Sequence, residues 1–136
     1  MELLAALRLC ANVPGQWAVQ TALGGFQSIR ELVEPGGRLY QQRQAIIERV
    51  ASSKYLSLQD PMGAMYAFIK LDERFAKTLD DRAFAQQLLE EKHVLVAPGS
   101  SFNTPYSDHF RITTLPDIDT LDVVFDRMDA LLEQHV

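Results

Sequence analysis

The residues whose types and spacing could do chemistry fall in one stretch near the end of the chain. Pro98-Gly99-Ser100-Ser101-Phe102 is followed by Asp108-His109-Phe110-Arg111-Ile112-Thr113-Thr114. A glycine turn, a polar loop and an arginine between apolar neighbours come together there. A planar guanidinium beside Phe110 and Ile112 can grip a carboxylate through two parallel hydrogen bonds. Hydrogen bonds to charged groups contribute about 1.5–3 kcal/mol. The other reading of Arg111 is an outward-facing strand arginine in a surface ion pair, worth under about 1 kcal/mol. Spacing alone favours that second reading.

Other chemistries lack their residues. The sequence contains no glycine-rich phosphate loop and no His–Glu pair at metal-ligand spacing, so no metal site is expected. No serine sits in a nucleophile elbow. His93, His109 and His135 are far apart in sequence and read as surface or boundary histidines. Cys10 is the single cysteine, which excludes an internal disulfide and a cysteine-built metal cluster. It reads as a small buried apolar residue. Lys54, Lys70, Lys77 and Lys92 read as solvated surface lysines.

The elements that must position this stretch can be read from periodicity. Residues 2–10 have helical composition and stop before Asn12-Val13-Pro14-Gly15, where the proline disfavours helix at Val13. Val19, Ala22, Leu23 and Phe26 form an amphipathic stripe, weakened by Gly24-Gly25. After Pro35-Gly36-Gly37, the spacing of Leu39, Ile46, Ile47 and Val50 predicts a one-sided helix over 38–52, with Arg43 and Glu48 turned outward. Ala64 to Leu71 reads as a strand. Thr78 and Asp80 offer caps for a helix over 81–92, with Phe84, Leu88 and Leu89 inward. Val94–Ala97 and Phe110–Leu115 read as two further strands. Leu121, Val124, Phe125, Met128, Leu131 and Leu132 mark a helix over 118–134. The expected fold is α/β (α+β), a small three-stranded sheet with helices packed on one face and mixed or antiparallel pairing.

Bulk properties set the outer limits. A chain of 136 residues with 47% hydrophobic and 23% charged residues is long enough for one domain with a real core, and residues 1–136 are read as that domain. Thirteen basic against eighteen acidic residues leave a net charge of −5. With no basic cluster, nucleic acid is not an expected partner. No segment has the roughly 18 apolar residues needed to span a bilayer, so no membrane partner is expected. Met1 to Val13 looks faintly like a leader, but Glu2 and Arg8 interrupt it, and it reads as a helix end. A cytoplasmic location is expected.

Four short motifs in register carry a resemblance over essentially the whole chain. Pro61-Met62-Gly63-Ala64-Met65-Tyr66-Ala67-Phe68 resembles the "P-x-G-A-x-Y-x-F" strand of class I pyridoxal-phosphate-dependent aminotransferases. Arg8 to Pro14 with Gln16, then Gln20 to Gly25, is similar to the segment after the lysine region in alanine-type members. Val96 to Phe102 resembles the "P-G-x-x-F" turn, and Phe110-Arg111-Ile112-Thr113 the "h-R-h-[ST]" strand. The likeness is to the C-terminal small domain, nearest the bacterial glutamate–pyruvate (alanine) type.

The resemblance implies a set of roles. Arg111 would bind the substrate α-carboxylate, turning the Cα–H bond toward a lysine base, and the domain would swing to exclude water. Asn12 and Pro14 would lie near the domain junction and dimer contact, within a helical junction segment over residues 1–35. Substrates would be an amino acid, alanine or glutamate, and a 2-oxo acid, and the assembly a homodimer. Tyr66 is read instead as a strand core residue with a wet hydroxyl. The Schiff-base lysine, the pyridinium aspartate and the stacking aromatic of the family belong upstream of Met1. Ser52-Ser53-Lys54 is a superficial match that lies after Asn12 and lacks the following Gly-Arg elements. Pyridoxal phosphate is thus expected in a full-length enzyme with a large cofactor domain. None is expected on this chain alone, which would be inactive. The alternative is a non-catalytic α/β module that binds amino acids or associates with itself.

Overall fold

Apolar residues recurring on one side of three helices and at alternate positions of three strands converge on a single interior. The computed structural model describes residues 12–24 and 29–136. Its order is α1 (Val13–Gly24), α2 (Ile29–Val33), α3 (Arg38–Ser52), β1 (Leu56–Leu58), β2 (Tyr66–Leu71), α4 (Asp81–Lys92), β3 (Ala97–Pro98), β4 (His109–Thr113) and α5 (Ile118–Leu132). Short 3-10 turns stand at Glu73–Phe75, Gly99–Phe102 and Glu133–His135. The expected helix over residues 2–10, Cys10 and Phe26 lie outside the described residues.

The long helices follow the periodicity. In α3, Ile46 and Val50 are buried, with Gln42 one turn before them. The Asp80 carboxylate accepts the Ala83 N–H at 2.8 Å and starts α4. The left-handed backbone of His93 (φ +56°) ends it. Phe84 and Leu88 point inward as expected, but Leu89 is 46% exposed. The buried stripe of α4 runs Asp81, Phe84, Ala85, Leu88, and Leu89 lies one residue, about 100°, past it. In α5, Leu121, Phe125, Met128, Leu131 and Leu132 are buried.

The sheet has four strands, not three, in the order β1-β2-β4-β3. All pairs are antiparallel, which decides between the two expected pairings. β1 spans only three residues, too few to show an alternating pattern. The expected strand at 94–97 narrows to Ala97–Pro98. Val94 and Val96 there are buried without ladder pairing, and Leu95 points out. Ala67, Ile69, Leu71, Phe110 and Ile112 form one face, which the helices cover. Phe84 of α4 meets Phe110 of β4 at 4.9 Å between ring centroids. Burying a large apolar side chain fully contributes about 1.5–3 kcal/mol.

α1 departs from expectation. Its first turn includes Val13 and Pro14, because a proline there loses no helical hydrogen bond. None of its residues is buried, so the stripe of Val19, Ala22 and Leu23 is not part of the core.

Candidate functional site

Strand alternation leaves the second face of the sheet to other side chains. β4 contributes His109, Arg111 and Thr113 to it, and β2 contributes Tyr66, Phe68 and Lys70. The antiparallel register sets Phe68 opposite Arg111, Tyr66 opposite Thr113 and Lys70 opposite His109. Arg111 is half-buried, and its Cζ lies 4.3 Å from the centroid of the Tyr66 ring and 4.3 Å from that of Phe102. Phe68 meets Phe102 edge-on at 6.4 Å and stacks on His109 at 5.0 Å. Tyr66 is therefore not the core residue expected from sequence. The first residue of β2 faces away from the helices, and Tyr66 is 40% exposed beside Arg111.

Phe102 reaches the cluster on the turn after β3. Gly99 allows the close approach: a Cβ there would stand 2.6 Å from the His109 carbonyl oxygen and 2.9 Å from Cζ of Phe68. The turn is tied to α4. Asp81, only 1% exposed, accepts the Ser100 N–H at 2.6 Å, and Arg82 donates from Nε to Ser100 Oγ at 3.1 Å. Thr104 Oγ1 donates to the Gly99 carbonyl at 3.2 Å. Asp81 was not legible as a site-supporting residue, since in sequence it reads as one more acidic residue in a helix's first turn. The Pro-Gly turn did signal Phe102, but not the use made of its ring.

The charges divide the face into two ends. At one end, Asp108 Oδ1 lies 2.6 Å from His109 Nδ1. Lys70 Nζ lies 3.7 Å from Asp108 and 3.5 Å from Glu73. Lys70 and His109 thus both have acidic partners. At the other end, no ion pair joins Arg111 to a carboxylate among the described residues. Arg111 is also one of the residues lining a groove with Val94, Val96, Thr113, Leu121 and Arg127. The arrangement can receive an anion.

The remaining candidates lie elsewhere. Asn12 Oδ1 accepts the Gly15 N–H at 2.6 Å, in the manner of a helix cap, and Pro14 sits in the first turn of α1. Both are exposed and take no part in the contacts around Arg111. His135 Nε2 lies 2.7 Å from Gln87 Oε1. Among the described residues no group of three or more His, Cys, Asp or Glu is placed to hold a metal ion. No described helix is long and apolar enough to cross a membrane.

Known proteins of one family resemble this chain in sequence and in fold. The family model described as aminotransferase class I and II matches residues 4–128. The chain is 44% identical over 135 residues to glutamate-pyruvate aminotransferase AlaA of Escherichia coli K12, covering 99% of this chain and 33% of that protein. It is 43% identical over 133 residues to alanine aminotransferase of Mycobacterium tuberculosis H37Rv, covering 98% of this chain and 31% of that protein. Among solved structures, an aminotransferase from Escherichia coli superposes with a TM-score of 0.85 at 44% identity, covering 97% of this chain and 33% of that one. An alanine aminotransferase from Pyrococcus furiosus gives 0.80 at 31% identity, covering 96% and 32%. The chain spans about a third of the length of these relatives. With residues 4–128 matched by the family model and 97% of the chain covered by the superposed structure, the chain belongs to the class I and II aminotransferase family.

Proposed function

We propose that this chain is the C-terminal small domain of a pyridoxal-phosphate-dependent aminotransferase, with Arg111 binding the α-carboxylate of the amino-acid and 2-oxo-acid substrates. The observation that carries this reading is the Arg111 guanidinium, held on the open sheet face with no carboxylate partner among the described residues. Two parallel N–H···O bonds would fix both carboxylate oxygens and so restrict the substituents on Cα to one orientation. Alanine and glutamate are the substrates of choice because they give the relatives their names.

The described lysines do not fit the cofactor. Lys70 is engaged by Glu73 and Asp108. Lys54 stands in a recess with Asp126, Asp129 and Glu133, whose charge opposes a phosphate. Lys77 is exposed, and Lys92 closes the last turn of α4. The chain's part is therefore binding and orientation, with the cofactor held by a large domain outside this chain. The exposed apolar side chains of α1, among them Trp17 at 80% exposure, support a junction or subunit contact there, with Asn12 and Pro14 at its start and a homodimer as the assembly.

The test is Arg111→Ala in the complete enzyme, this chain joined to its cofactor-bearing part. Losing two charged hydrogen bonds, about 1.5–3 kcal/mol each, raises KM for alanine by about a hundredfold or more. An unchanged KM would overturn the assignment.

A further inference from the structure

We infer that Tyr66 and Phe102 are positioning residues for the carboxylate site, holding the Arg111 guanidinium so that its N–H edge faces the substrate. This rests on the reading of Arg111 as the carboxylate-binding residue. The two rings come from opposite flanks of β4. Tyr66 belongs to β2 on one side, and Phe102 follows β3 on the other. Each centroid is 4.3 Å from Arg111 Cζ.

A guanidinium against an aromatic face uses its π surface and keeps its in-plane N–H groups for hydrogen bonding. Arg111 has a long flexible stem, and no hydrogen bond from its guanidinium is found among the described residues. Among the described residues, the rings are then the contacts that select its orientation. The chain also leaves Tyr66 and Phe102 each 40% exposed while nearby Phe84 and Phe110 are fully buried. Phe102 is held in turn by Phe68, by the glycine approach at Gly99 and by the Asp81–Ser100 hydrogen bond. The clamp thus has its own support, independent of substrate.

The experiment uses the complete enzyme and propionate, a carboxylate with no amino group to react, titrated calorimetrically. Phe102→Leu and Tyr66→Leu each weaken propionate about three- to tenfold, whereas Phe102→Tyr and Tyr66→Phe, which keep the ring, stay within about twofold of the parent. Relaxation of the Arg111 Nε nitrogen reports greater side-chain motion in the leucine variants, a signal that general destabilisation does not produce on its own. Leucine variants that bind propionate like the parent, while Arg111→Ala loses it, overturn the clamp and leave the role of Arg111 standing. Ring-keeping variants that weaken binding as much as leucine also overturn it. If Arg111→Ala itself binds propionate normally, the carboxylate site fails and the clamp with it.

Discussion

Arg111 and the lysines show how neighbours decide what a cation can do. Lys70 has carboxylates at 3.5 and 3.7 Å, which occupy its ammonium group. Lys54 stands in a recess lined by the acids Asp126, Asp129 and Glu133. Arg111, a few residues along the same face from His109, meets rings instead of acids. The expected outcome of titrating the 136-residue chain with pyridoxal phosphate is therefore no aldimine band and no borohydride-trapped adduct. A stoichiometric, reducible adduct on one lysine would show that the chain carries a cofactor site of its own.

At the scale of elements, the two helices that frame the sheet begin at aspartates. Asp117 caps α5 by accepting the Thr120 N–H at 2.8 Å. The Thr120 backbone N–H, and then its side chain, hold the Asp117 carboxyl below the usual carboxylate range. Asp72 is lowered likewise by hydrogen bonds from the Arg74 side chain and backbone. A depressed folded value means that the charged form stabilises the fold above the unfolded value, about 3.9 for Asp. That stability is lost as pH falls through the lower folded value. Helix content followed by circular dichroism should drop as pH falls below about 4, and Asp117→Asn should make the loss shallower. An identical acid profile for Asp117→Asn would show that the cap does not titrate with folding. The cap at Asp80 was readable from its place before an apolar periodic run. The contribution of Asp81 was not, because its partner, Ser100, is 19 residues away.

At the scale of the molecule, one face of the sheet is committed to stability and the other to the site. Phe125 lies at 0% exposure in the core that α5 shares with the sheet. Phe125→Ala should lower unfolding free energy by about 3–5 kcal/mol in a urea titration, since the close-packed surroundings only partly collapse into the cavity. A loss under about 1 kcal/mol would mean that α5 is not anchored by this ring. The two faces are chemically separable: truncation at Phe125 acts on folding, whereas truncation at Phe102 acts on the arginine.

The amino-acid sequence by itself determined the long helices and the strand that carries Arg111, because periodicity and caps are local and repeat over many residues. It also determined the family, through four spaced motifs. Tertiary structure alone decided the rest. The three-residue β1 exists only by pairing with β2, and the two-residue β3 only by pairing with β4. Tyr66 could be assigned to core or open face only once the register set Ala67, Ile69 and Leu71 against the helices. The freedom of Arg111 to bind a carboxylate likewise depends on which rings and acids the fold brings beside it. Spacing along a chain does not encode contacts made across a sheet.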